Sequence, residues 1–224
     1  MDDVELLPEA IADALAANAT VVTGNQRAAR TLQRAFDQKR RRLGLSSWQP
    51  ANILAWDAWT VRLWQRSLVD GHVSQLLMSP AQELSVWRGI LEADSELESL
   101  RSKDSLAMLA SDAWEKLCSY NGKARLRSSA ASPDSRAFQR WVSAFQRRCR
   151  NDQLLSQADL LDALHPLVLA GRLQFETPRI ALVGFDKMTP AQSGFIEAIR
   201  STGCQVDEVQ YTMSAQATIL AKAA

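Results

Sequence analysis

The chain has 224 residues, 46% of them hydrophobic, and a formal net charge of +1 at pH 7. That suits one large domain, or one domain carrying an insertion, around a substantial core, and it excludes a protein that is strongly basic or acidic throughout. No apolar stretch is long enough to span a bilayer, the acidic start (Asp2, Asp3, Glu5) is unlike a signal peptide, and Cys118, Cys149 and Cys204 lie far apart with no C-x-x-C, as reduced thiols of a cytoplasmic protein do.

Leu6–Ala17 is expected to form a short amphipathic helix with Pro8 near its start. Ala19–Thr23 is short, β-branched and apolar, the signature of a buried strand, and Gly24 follows it. From Asn25 the pattern becomes a long helix to Leu43, with Ala28, Ala29, Leu32 and Phe36 on one face and Gly44 as its stop. This helix is basic: Arg27, Arg30, Arg34, Lys39, Arg40, Arg41 and Arg42 are opposed only by Asp37. Two readings fit it, a solvated face or a surface for a phosphate backbone.

Ala51–Leu54 reads as a second strand, and Trp56–Val69 as a helix whose Trp56, Trp59 and Leu63 face a core. Ser79, Pro80 and Gln82 form a capping box that opens the next helix, with Leu84, Trp87 and Leu91 on its apolar face. Asp104–Tyr120 is helical, Asn121–Pro133 a polar loop, Asp134–Arg150 a helix with Phe138, Trp141, Val142 and Phe145 buried, and Ser156–Ala170 another helix. His165, before Pro166 in an apolar helix, reads as structural, and with His72 as the only other histidine, metal or triad chemistry based on histidine is disfavoured. Arg179–Val183 is an apolar strand ending at Gly184; Thr189, Pro190 and Gln192 begin a helix with a second capping box; Gln205–Tyr211 alternates as a strand; and Thr212–Ala224 is a small, polar tail.

Strand–turn–helix geometry at Val21–Thr31 places free N–H groups and the positive end of a helix dipole at one spot, which suits phosphate. The phosphate-loop pattern G-x-x-x-x-G-K-[ST] can be laid over it with Gly24 first, Ala29 at the second glycine, Arg30 at the lysine and Thr31 at the Ser/Thr. Ala29 crowds the place where backbone approaches phosphate, and the planar guanidinium of Arg30 is no compact ammonium. An ordinary βα turn and a decayed nucleotide loop both remain open at this point. Strands joined through helices imply a parallel sheet, here α/β with a large all-helical insertion between the second and third strands. The expected parts are 1–70 and 173–212 as an α/β domain, 71–172 as the helical insertion, and 213–224 as the tail.

This layout resembles the first motor domain of superfamily 1 helicases, and most closely the N-terminal region of AddB-type helicase–nuclease subunits and a related bacterial family of DNA repair proteins with a PD-(D/E)XK nuclease domain. The segments that carry the likeness are Val21–Phe36, Trp48–Trp64, Ser79–Leu91 and Ile180–Ile199; the last is similar to a G-F-x-x-[FLM]-T-P-x-Q pattern. The resemblance implies a P-loop NTPase-like sheet and an acidic pair for Mg²⁺ after the third strand. Val183-Gly184 stands there instead, with Asp186 two residues beyond the glycine. Asp186 is expected either to accept N–H bonds within its turn or to substitute for the missing acid. The resemblance further implies an N-terminal fragment of a longer exonuclease, whose nuclease carboxylates are not evident in this chain.

Three functions follow as expectations. The first is a non-catalytic DNA-holding domain using Arg27, Arg34, Arg40, Arg41 and Arg42, with exposed aromatics stacking on single-stranded bases. The second is a residual nucleotide switch in which Gly24, Arg30, Thr31 and Asp186 hold ATP and Mg²⁺ without turnover. The third is a scaffold for a partner helicase–nuclease subunit, bound through the tryptophan-bearing helices.

Overall fold

The computed structural model describes residues 7–97, 103–128 and 132–209. Its first elements are α1 (Glu9–Ala16), β1 (Thr20–Thr23), α2 (Gln26–Arg42), β2 (Ile53–Ala55), α3 (Trp56–Val69), β3 (Leu76–Leu77) and α4 (Pro80–Glu92). After a 3-10 turn at Ser95–Leu97 come α5 (Lys103–Ser119), α6 (Lys123–Ser128), α7 (Pro133–Asn151), β4 (Leu154–Leu155), α8 (Leu160–Leu169), β5 (Arg179–Val183), α9 (Pro190–Ser201) and β6 (Gln205–Val209). The architecture is mixed α/β. Contacts divide the described chain into two compact units, one of residues 7–60, 175–187 and 199–209, the other of 61–97, 103–128, 132–174 and 188–198. No helix among the described residues is long and apolar enough to cross a membrane.

The first unit holds a four-stranded parallel sheet in the order β2-β1-β5-β6. All four residues of β1 are buried, as a central strand covered on both faces requires. Val21 pairs with Ile53 on one side and Ala181 on the other, so these three side chains share a face. That face is filled by Ile11 of α1 and by Ala29 and Leu32 of α2. At the opposite end of the strands the Thr177 hydroxyl accepts from Thr20 N at 3.1 Å, and Asn52 Nδ2 donates to the Thr20 hydroxyl at 2.8 Å.

The second unit is built on tryptophans. Trp87, Trp114 and Phe145 are fully buried, and Trp87 stacks on Phe145 with centroids 4.1 Å apart. Burial pushes the Cys149 thiol up to about 12 and the Cys118 thiol higher still, so neither forms a thiolate at neutral pH. The capping box at Ser79 and Gln82 is formed in both directions. Glu83, 5% exposed, accepts from Gln157 N at 3.0 Å; burial raises its carboxyl above the usual range despite that bond.

Two expectations for this region change. The stretch 71–172 is not wholly helical, because β3 and β4 pair in parallel, Leu76 with Leu154 and Leu77 with Leu155. The polar stretch 121–133, expected as a loop, contains α6. Its Lys123 donates to Asp159 and, at 2.6 Å, to Asp162, and lies over the Trp114 ring. Burial opposes the Lys123 charge, yet the two carboxylates hold it above the ordinary lysine range. These long-range contacts hold a helix too short to persist alone. Residues 212–224, expected as a tail, and residues 129–131 of the expected loop lie outside the described residues.

Candidate functional site

The sheet order reverses between β1 and β5, since β2 flanks β1 on one side and the chain returns on the other. In open parallel sheets the crevice outside the carboxyl ends of two such strands is where ligands bind. Gly24 and Gly184 close that crevice here. Gly24 N donates to Val183 O at 3.2 Å, and a Cβ on Gly24 would lie 2.9 Å from Gly184 O. Gly24 is therefore a glycine because another backbone touches it, and Gly184 is one because its φ is +69°.

Only Gly24 and Asn25 separate β1 from α2. Asn25 is the N-cap, in extended conformation, and its Oδ1 accepts from Ala28 N at 2.9 Å. The Thr23 hydroxyl donates to Asn25 O at 2.9 Å and fixes the turn from below. Because α2 starts at Gln26, the residues laid over the phosphate-loop pattern fall beyond the helix mouth. Ala29 is 3% exposed in the core, Thr31 is half-buried, and Arg30 is exposed on the outer face. Ala29 N is bonded to Asn25 O at 3.2 Å, so its N–H is no longer free for an anion. Gly24, Arg30 and Thr31 thus do not converge on one point as a phosphate cradle requires. Asp186 is exposed and makes no hydrogen bond among the described residues, so it does not serve its turn as an acceptor.

The tryptophans of α3 face a core, as their spacing predicts. Trp56 and Trp59 are 5% and 4% exposed and meet edge to face at 5.4 Å, with Phe185 packed edge-on against Trp56 at 5.8 Å. Their rings fill the core and offer no open face to a base.

What the fold does bring together is arginine. Arg27, Arg30, Arg34 and Arg41 follow at intervals of three, four and seven residues along α2. At about 100° and about 1.5 Å per residue they fall within an arc of about 60°, opposite Ala29, Leu32, Ala35 and Phe36, in a line about 21 Å long. All four are exposed, and none has an ion-pair partner among the described residues. The one acid of the helix, Asp37, accepts from Trp48 Nε1 at 2.7 Å instead. Arg40 leaves the group, for its guanidinium lies 4.9 Å from the Phe36 ring centroid. Arg42 is exposed on the neighbouring flank.

No protein-family model matches the chain, and no curated protein matches it.

The basic helix of the second unit is a useful contrast. On α7, Arg140 pairs with Asp94 and Glu96, and Arg148 with Asp152. Arg140 and Arg148 are thus answered within the protein, whereas the four arginines of the α2 stripe have no such partner among the described residues. Arg30, which the phosphate-loop pattern sets at the lysine position, lies on the same outer face as Arg27 and Arg34. Its spacing from Arg27 and Arg34, three and then four residues, is the signal that would have placed it there.

Proposed function

We propose that this chain is a non-catalytic, helicase-like DNA-engaging domain of a bacterial DNA repair and recombination helicase–nuclease, which holds DNA through the arginine stripe of α2. The finer fold assignment, a P-loop NTPase-like sheet interrupted by an insertion, belongs to this proposal and is supported by the parallel order with its reversal beside β1. The observation that carries the DNA reading is the stripe itself: four exposed arginines in one line on one helix, unpaired among the described residues.

That line is costly to keep. Arg27 stands in the first turn, at the positive end of the helix dipole, where a cation loses about 0.3–1 kcal/mol. Arg27–Arg30 and Arg30–Arg34 are like-charge neighbours at i,i+3 and i,i+4, each unfavourable by about 0.2–0.5 kcal/mol. Local conflicts of this kind collect at functional surfaces. A polyanion offsets them: arginine pairs with phosphate through a planar fork, and counterion release drives association. The two-residue β1–α2 connection and the capping of Ala28 N leave little room for a triphosphate, which supports a domain without ATP turnover.

The test is fluorescence anisotropy of a labelled single-stranded oligonucleotide, titrated with the chain at two salt concentrations. Micromolar or tighter binding that weakens steeply with salt supports the reading. Absence of binding at low salt removes it, and ATP hydrolysis abolished by Arg30→Ala replaces it with a catalytic one.

A further inference from the structure

In the second unit, α4 and α7 meet through the stacked Trp87 and Phe145. Beside that contact lies an open cleft of about 700 Å³, lined by Val86, Gly89 and Ile90 of α4 with its C-cap Ala93, and by Ala144 and Arg147 among others of α7. Val86, Ile90 and Ala144 are only half-buried, so the cleft keeps apolar surface in contact with water. Gly89 keeps it deep: a Cβ there would meet nothing within 4 Å. The basic charges sit on one side only. Arg140, Arg147 and Arg148 line the α7 side, and the single carboxylate of the lining, Asp94, is already engaged by Trp141 Nε1 and Arg140. Arg140 and Arg148 have acidic partners; Arg147 is exposed and has none among the described residues.

We propose that this cleft docks an amphipathic helix of a partner protein, one whose apolar ridge carries carboxylates along a single flank. The apolar wall takes the ridge, Gly89 lets the incoming backbone approach to helix-packing distance, and Arg147 takes the acidic flank. Positions 85 to 93 run about 12 Å along α4, two turns, which is the length of an i, i+4, i+7 anchor set. A nucleic acid fits this surface less well. The apolar wall has no donors for phosphate, and two of the three arginines are occupied. The inference stands apart from the arginine stripe of α2.

The experiment uses the full chain and a fluorescein-labelled synthetic helix of sixteen residues, with leucines at i, i+4, i+7 and i+11 and glutamates along one flank, beside a counterpart with lysines in place of the glutamates. The acidic peptide is expected to bind and the basic one to bind at least about tenfold more weakly. Gly89→Leu fills the cleft while replacing a helix-interior glycine, so the thermal midpoint should hold or rise while the acidic peptide loses at least about tenfold in affinity. Arg147→Glu, at an exposed site with no pairing to lose, should reduce the preference for the acidic peptide by about threefold or more. The proposal is overturned if the acidic peptide fails to bind at millimolar concentration, if both peptides bind alike, or if Gly89→Leu, still folded, binds as the parent does. It is equally overturned if Gly89→Leu or Arg147→Glu weakens a labelled oligonucleotide instead of the peptide.

Discussion

Replacing Arg27, Arg34 and Arg41 together with glutamine strips three of the four charges from the outer face of α2 and leaves Arg30 alone. Because all four are exposed and unpaired, no contact within the described protein is lost. Glutamine has nearly the same helix propensity as arginine, and two like-charge pairs disappear, so stability should stay within about 0.5 kcal/mol or rise slightly. The effect on DNA should be large. If the four arginines neutralise four phosphates of a single strand, log K falls against log salt with a slope of about −2.8, which is about fiftyfold in affinity between 50 and 200 mM salt. With one arginine left the slope drops to about −0.7, or about threefold over the same range. The assay is oligonucleotide anisotropy at four salt concentrations, with a thermal melt of each protein as the control. A variant that is folded and keeps the parent's slope would refute the assignment, since the charge that releases counterions would then lie elsewhere.

Three further outcomes follow from the packing. Gly24→Ala should destabilise by about 1–3 kcal/mol in urea unfolding, because the new methyl meets the backbone oxygen of Gly184 at 2.9 Å, and backbone does not yield cheaply. The raised carboxyl of Glu83 means the folded state keeps its proton longer than the unfolded one, so its contribution to stability is lost as pH rises through the interval above the usual glutamate value. Glu83→Gln, which keeps an acceptor for Gln157 N, should flatten that part of the pH profile in urea melts and be neutral or stabilising at pH 7. Asp94 has the opposite sign: Trp141 Nε1 and Arg140 hold its carboxyl below the usual aspartate value, so its contribution is present above that value and lost as pH falls through the folded one. Asp94→Ala should therefore lower the urea midpoint at pH 7 and cost less as the pH approaches 3.

Much of the frame was legible from local patterns. β1 stood out because a strand buried on both faces is a continuous apolar run, and the capping boxes at Ser79–Gln82 and Thr189–Gln192 both form, since their signals need only residues three apart. The two-residue strands β3 and β4 carry no periodicity at all, and they exist only because Leu76 and Leu154 meet through the fold. Likewise α6 is held by Lys123 reaching Asp159 and Asp162, partners thirty-six and thirty-nine residues away. The phosphate-loop alignment went astray for a different reason. A pattern counts residues, whereas a cradle depends on where the helix begins; Asn25 as N-cap starts α2 at Gln26 and carries Arg30 into the second turn. The arginine stripe was visible as charge, but its outer face became distinct only once Arg40 turned onto Phe36.

The pairing of Thr20 with Ile180 has a consequence for how the chain is made. β1 emerges from the ribosome 160 residues before β5, the strand that covers its second edge. At about 5–20 residues per second that is a wait of roughly 8–32 s. During it, Thr20–Thr23 has only β2 beside it and presents an apolar strand with an open edge, the kind of surface that recruits other chains. Residues 61 to 174 are synthesised within that interval, and the described ones among them pack against one another around their tryptophans. Most of the second unit, all but its residues 188–198, is thus made while the first still lacks half its sheet, and slow translation or scarce holdase in that window should lower the soluble yield.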